Sequence, residues 1–284
     1  MMIKVLGSAQ DAGVPHVACQ CPTCTDARRN PGHIRRGPAL GIYDEVDGAA
    51  WMIDASPQFD LQLEMLWQSV REVRRRDSFP LDGFFLTHAH FGHYWGLGYL
   101  GKEAASPQGI PVYCTPDMQK FMAKNRPFAD LIARENIVIH PVEHGVDVPV
   151  HHRLTVTPYK VEHRRDFTDT VGYILKGNRQ TALYIPDMDD VTPDIVDLVR
   201  HVDVALIDGC FYSPNELPGR DIREVPHPFI PHTMDILQDQ VHDTEIVFTH
   251  FNHSNHAIHP ESEEGKKVLA RGFGLAADGD EFAL

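Results

Sequence analysis

The chain has 284 residues, 42% of them hydrophobic and 23% charged, enough to bury a substantial core in one large domain or two fused half-domains. With 40 acidic against 26 basic residues the formal charge is −14, which argues against a general nucleic-acid binder because phosphate backbones require clustered cations. No apolar stretch reaches the ~18 residues of a membrane span, and the opening Met1-Met2-Ile3-Lys4-Val5-Leu6 runs straight into a strand pattern without a leader-like segment, so a cytoplasmic protein is expected.

Short runs rich in Val, Ile, Tyr and Phe, bounded by Gly, Pro, Asp or Asn, predict strands over 3–6, 38–43 and 50–53. A helix follows, because Phe59, Leu63, Leu66, Trp67, Val70 and Val73 recur at helical spacing. Ser56 can cap it and Pro57 fits its first turn. Arg71, Arg74, Arg75 and Arg76 form the only dense basic stretch and read as a solvated helix end, where cations favour the dipole. Then come a strand over 83–86, a helix over 95–103, a strand over 111–113 and a helix over 117–124. Strands over 155–161, 170–175 and 181–185 precede a helix over 193–200, a strand over 202–207, a helix over 233–240 and a strand over 245–248. Strands in runs with helices between the runs predict sheet layers covered by helices.

The chain holds 18 histidines, and their placement matters more than their number. His88-x-His90-x-x-His93 follows the strand ending in Phe84-Phe85-Leu86. His163 follows Tyr159-Lys160-Val161, Asp187 follows Tyr184-Ile185, and His250 follows Ile246-Val247-Phe248. Strand ends are rigid platforms from which side chains can converge with the precision a metal site demands. In open α/β sheets, functional groups gather at the strand carboxyl ends. His88 and His90, two apart, can face one side, with His93 on the first turn of the next helix. Asp189 and Asp190 compete with Asp187 as the carboxylate.

This pattern resembles the H-x-H-x-D-H signature of metallo-β-lactamase-fold hydrolases. Val5-Leu6-Gly7-Ser8-Ala9, Ala55-Ser56-Pro57, Asp208-Gly209-Cys210-Phe211 and Thr249-His250-Phe251-Asn252 resemble the pyrroloquinoline quinone biosynthesis protein B family. The intact histidine cluster and Thr249-His250-x-x-His253 resemble the phosphoribosyl cyclic phosphodiesterase family of phosphonate breakdown. The resemblance implies a single α/β domain over 1–284 with the four-layer αββα metallo-β-lactamase fold: two mixed sheets sandwiched between helices, in halves of roughly 1–150 and 151–284. It further implies a first metal on His88, His90 and His163, a second on His93 and His250, and Asp187 bridging them. Histidine and carboxylate donors suit Zn, Mn or Fe. Gly92 stands where those families carry Asp, which removes an anionic ligand from the second ion and predicts a weaker second site or a mononuclear one. Asp54 resembles the buried carboxylate that orients a histidine ligand. His232 resembles an extra active-site histidine able to donate a proton to a leaving group, with His227 as its rival.

Cys19-Gln20-Cys21-Pro22-Thr23-Cys24 supplies three thiolates that can wrap one tetrahedral Zn and leave a fourth position open. Both families that the chain resembles carry a similar structural zinc site, and His253 is the leading candidate for the fourth position, with His256 and His16 as alternatives. Cys21-x-x-Cys24 also fits a redox pair, although no thioredoxin-like context surrounds it. Cys114 and Cys210 end apolar runs and are expected to be buried thiols. The segment over 209–231 is a candidate lid, with Tyr212, Arg220 and Arg223 as candidate substrate contacts.

The expectation is therefore a metal-dependent hydrolase using a metal-bound hydroxide on a small molecule, with a phosphodiester or cyclic phosphate as the candidate substrate and a homodimer left open. The alternative is an iron-dependent oxygenase or cofactor-biosynthesis protein resembling the quinone-pathway family. A binding protein in which metal only stabilises the fold is the third reading, and the full ligand set argues against it.

Overall fold

The computed structural model describes residues 1–74, 79–217, 219 and 221–284, the side chain of Arg223 excepted. Arg75 and Arg76 lie outside them. The strands of the first sheet are β1 (Met2–Gly7), β2 (Ala39–Tyr43), β3 (Ala50–Ile53), β4 (Gly83–Phe85), β5 (Ile110–Cys114) and β6 (Ile137–Pro141). Those of the second are β7 (Val148–His151), β8 (Leu154–Val161), β9 (Thr170–Lys176), β10 (Thr181–Ile185), β11 (Val204–Asp208), β12 (Glu245–Thr249) and β13 (Gly274–Leu275). The last strand, β14 (Glu281–Ala283), returns to pair with β1. The strand orders are β14-β1-β2-β3-β4-β5-β6 and β13-β12-β11-β10-β9-β8-β7, seven strands each. In both sheets an antiparallel run gives way to a parallel one, at β3–β4 and at β10–β11.

The α-helices are α1 (Pro22–Arg29), α2 (Phe59–Val70), α3 (Phe91–Tyr94), α4 (Pro116–Lys124), α5 (Phe128–Ala133), α6 (Pro193–Arg200), α7 (Ile230–Leu237) and α8 (Glu263–Ala270). Strand alternation assigns each face. Leu40 and Ile42 of β2 and Trp51 and Ile53 of β3 meet Tyr173, Leu175, Tyr184 and Leu206 of the second sheet in a shared inner core. Tyr43, Ala50 and Met52 face the other way, onto Phe59, Leu66 and Val70 of α2. On the far side Leu183, Ile185, Ala205 and Ile207 pack on Ile195 of α6, Met234 of α7 and Val268 of α8. The layers are thus helix, sheet, sheet, helix: the αββα arrangement expected.

Several elements depart from the sequence reading. β6, β7, β13 and β14 lie at or near sheet edges, short or partly exposed, and carry little apolar signal. The division placed near 150 falls inside β7, the first strand of the second sheet. Residues Trp95–Leu100 form a 3₁₀ stretch rather than an α-helix. Ser56 does not cap α2: it is fully buried and its hydroxyl serves Gln58 and Gln62, so the helix begins after it at Phe59.

The chain termini are fastened by Asp278, whose nearly buried carboxylate accepts from Ser8 N (2.9 Å), Ser8 Oγ (2.7 Å) and Arg36 N (2.7 Å). Removing a charged acceptor leaves these donors without their partner. Asp278→Ala should therefore lower unfolding free energy by roughly 2–4 kcal/mol, read from urea denaturation.

Candidate metal centre

The C-terminal ends of β4, β8, β10 and β12 open onto one edge of the sandwich. Leu86 and Thr87 carry the chain from β4 to His88, and His90 begins α3 in an extended conformation, which turns His93 back toward the strand ends. His163, Asp187 and His250 follow β8, β10 and β12 by one or two residues. His88, His93, His163, Asp187 and His250 are buried, and only His90 is partly open.

Two donor sets share Asp187. One comprises His88, His90, His163 and Asp187, the other His93, Asp187 and His250, with the ligand atoms of each within 4.8 Å of one another. His88 Nε2 lies 2.9 Å from His90 Nδ1. Asp187 Oδ2 lies 3.1 Å from His93 Nε2 and 3.3 Å from His250 Nε2, while Oδ1 lies 3.5 Å from His163 Nε2. Yet His93 Nε2, His163 Nε2, His250 Nε2 and Asp187 Oδ2 are buried without a well-formed hydrogen bond. Buried polar atoms otherwise find partners, so donors clustered and orphaned together fit a cation.

The electrostatics agree. Burial drives His88 and His250 well below the usual histidine range and pushes His163 down to about 3, so all three stay neutral, the form that binds metal. Burial also opposes ionisation of Asp187, but His93, whose Nε2 lies 3.1 Å away, helps to hold it well below the usual carboxylate range. His93 moves the other way: burial opposes its charge, yet Asp54 and Asp187 raise it strongly.

Carboxylates behind the cluster fix the rings. Asp54 is fully buried; it accepts from Thr87 N (2.8 Å) and lies 2.7 Å from His93 Nδ1, leaving Nε2 aimed at Asp187. Asp189 does the same for His163, at 2.9 Å from Nδ1. Asp189 is therefore a supporting residue and Asp187 the central carboxylate. Asp190 takes neither position.

His232 is a correction. It sits exposed on the first turn of α7, where its Nε2 lies 3.3 Å from Asp190 Oδ1, and it belongs to neither donor set. Its rival His227 is the ring that reaches the cluster. His227 is buried, lies 5.2 Å from His163 and 5.8 Å from His250 between ring centres, and is held by Asp208 at 2.6 Å from Nδ1. Its Nε2 has no hydrogen-bond partner among the described residues. Burial opposes protonation, but Asp208 outweighs it and raises the ring above the usual histidine range. Pro226 and Pro228 flank His227, a local signal for a stiffened segment that the sequence reading did not use.

Arg164 went unremarked in the sequence. It follows His163, and its guanidinium lies 3.6 Å from Asp166 Oδ2, the carboxylate oxygen that is also 3.1 Å from His90 Nε2. Arg220 and the side chain of Arg223 lie outside the described residues. Tyr212 lines a cavity of ≈ 540 Å³ beside the cysteines, with Glu216 and His253. The segment over 209–231 has a small core of its own in Cys210, Phe211 and Val225.

Cys19, Cys21, Cys24 and His253 form a separate four-donor cluster within 4.8 Å, with Sγ of Cys19 and Cys21 each 3.5 Å from His253 Nδ1. His16 stacks on the His253 ring rather than joining the donors. Burial pushes the Cys24 thiol up to about 12, a cost that a bound cation offsets by holding the thiolate. Cys114 and Cys210 are buried as expected.

The family described as "Beta-lactamase superfamily domain" matches residues 51–251. "Coenzyme PQQ synthesis protein B" of Methylobacillus flagellatus is 26% identical over 311 residues, covering 100% of both chains. The crystal structure of Zn(2+)-bound PqqB from Methylobacterium extorquens superposes with a TM-score of 0.85 at 22% identity, covering 100% of each chain. A diphosphatase from the PhnP family gives 0.71 at 22% identity, covering 99% of this chain and 96% of that one. The matched span runs from β3 through the residue after His250 and takes in every histidine-site donor, so the chain belongs to the beta-lactamase superfamily.

Proposed function

We propose that this protein is a metal-dependent hydrolase of small phosphoesters. The observation that carries the reading is the pair of donor sets meeting on one carboxylate, Asp187. Such a pair would hold two ions a few ångströms apart, which when bound supply a polarised water and neutralise charge on the attacking and leaving oxygens. Zinc or manganese suits the histidine and carboxylate donors, and zinc suits the cysteine cluster.

The chain's own residues divide the remaining work. His88, His90, His93, His163, Asp187 and His250 would hold the ions. Asp54 and Asp189 fix the rings of His93 and His163. His227, its Nδ1 held by Asp208 at 2.6 Å and its Nε2 without a hydrogen bond among the described residues, is placed to deliver a proton to a leaving oxygen. Arg164 supplies a cation for an anionic substrate.

A second reading is a cofactor-biosynthesis role, in its iron-dependent oxygenase form, and the full-length likeness to PQQ synthesis protein B favours it. Metal analysis with a bis-(p-nitrophenyl) phosphate assay separates the two. Zinc or manganese with turnover supports hydrolysis, whereas iron with oxygen consumption on a peptide or tyrosine and no phosphoester turnover overturns it.

His90→Ala should lower kcat/KM at least about 100-fold, while His232→Ala should leave it unchanged. Retention of activity in His90→Ala would remove the site assignment. For His227→Gln, kcat should fall about 100-fold with alkoxide leaving groups and far less with p-nitrophenolate, which needs no proton. An equal loss on both substrates would exclude the proton-donor role.

A further inference from the structure

We infer that Asp166, on the loop between β8 and β9, is a positioning residue of the first metal site: it accepts from His90 Nε2 and so leaves the lone pair of His90 Nδ1 facing His88. This rests on the reading that the histidine site binds metal.

The protons of the cluster follow from its hydrogen bonds. Asp166 Oδ2 lies 3.1 Å from His90 Nε2. An ionised carboxylate only accepts, so a neutral His90 carries its proton on Nε2 and a lone pair on Nδ1. Behind the other ring, Thr87 Oγ1 donates its one proton to Asp54 Oδ2 at 2.8 Å. Toward His88 Nδ1, at 3.0 Å, the same oxygen can then only accept. The His88 proton therefore sits on Nδ1 and its lone pair on Nε2. His88 Nε2 and His90 Nδ1 face each other at 2.9 Å. With both protons drawn to the backs of the rings, two lone pairs meet across that gap, and they repel unless a cation shares them. Two nitrogens bound to one tetrahedral zinc stand roughly 3.3 Å apart, close to this spacing.

His90 needs such a partner more than its neighbours do. His88 and His163 are buried, whereas His90 is partly open. Water can move the proton of an open imidazole from one nitrogen to the other. Placed on Nδ1, that proton would bond to His88 Nε2 and tie the two rings to each other instead of to an ion. Asp166 removes this alternative.

The loop is fastened on both sides of the contact. Thr168 Oγ1 accepts from Ala89 N at 3.1 Å, and Val171 N donates to Thr87 O at 3.1 Å. The residues leading into His90 are thus bound to the same stretch of chain that carries Asp166. Arg165 donates to Asp117 Oδ2 at 3.1 Å and the Phe167 ring lies 5.8 Å from that of Phe121, so the residues flanking Asp166 rest on α4.

Wild type, Asp166→Asn and Asp166→Ala test the assignment. Nitrogen NMR at alkaline pH, on protein stripped of histidine-site metal, reads which nitrogen of His90 carries the proton. Chelator competition reads zinc affinity, and melting of the stripped proteins checks the fold. The proton is expected on Nε2 in the wild type and in Asp166→Asn, whose amide oxygen still accepts, and shared between both nitrogens in Asp166→Ala. Zinc at the first histidine site should bind at least about tenfold more weakly in Asp166→Ala and lose less in Asp166→Asn, with cysteine-site zinc and melting unchanged. Wild-type zinc affinity in Asp166→Ala overturns the inference, as does a wild type with the His90 proton on Nδ1. A loss that extends to the cysteine site, or a lower melting temperature of stripped Asp166→Ala, marks a general structural role and overturns it too. A wild type without zinc at the histidine site overturns the metal reading and this inference with it.

Discussion

The buried carboxylate of Asp187 sets the terms for this edge of the molecule. A carboxylate removed from water is tolerated only when opposite charge or dense polar contact replaces its hydration. Three histidine nitrogens lie within 3.5 Å of it, one from the first sheet and two from the second. The two sheets must therefore stack with their strand ends level. The shared inner core of Trp51, Ile53, Phe85, Tyr173 and Tyr184 supplies that alignment through packing alone. Tyr173 adds a polar pin across the sheets, donating its hydroxyl to Leu86 O at 2.6 Å, next to the histidine cluster.

The same constraint accounts for where the backbone is unusual. Asp54 and His250 both have φ +63°, and each follows directly on a strand. A left-handed residue turns the chain sharply and reverses the direction of the side chain, which a regular strand cannot do at that point. For Asp54 the strain is held by Asp54 N donating to Phe85 O and by three contacts to Thr87 and His93. For His250 it is held by the Phe251–Ser8 pairing. Strand ends are rigid, and these single-residue turns aim the groups they carry.

What was legible in the sequence follows from how local each signal is. Buried central strands read as apolar runs, and the ligands were found because each follows such a run directly. Asp54 was reached through resemblance and lies 2.7 Å from His93 Nδ1, and His253, one of three candidates beside the cysteines, is the one whose ring lies within 4.8 Å of their sulfurs. The edge strands β7, β13 and β14 gave little signal because half-exposed residues lose the apolar alternation. His227 and Arg164 were underrated for another reason. Their importance comes from what lies across the site in the fold, and neither sits in a motif whose spacing carries it. His232 drew attention because it opens a helix, but its turn of α7 faces solvent and Asp190.

The gap at Gly92 shows why a motif read as a string differs from a site read as a volume. Counting residues along Thr87–His93 gives one carboxylate too few. In the folded chain Asp11 stands beside that position, its Oδ1 accepting from Gly92 N at 3.0 Å, a neighbour that no spacing rule could have linked to it across 81 residues. The two positions also exclude each other physically. While the loop holds Asp11 in place, position 92 has no room for a Cβ, and an aspartate there would have to push the Asp11 backbone away from Phe251. A side chain at 92 and this loop path are therefore alternative ways of filling one volume, and a change at either position requires a change at the other.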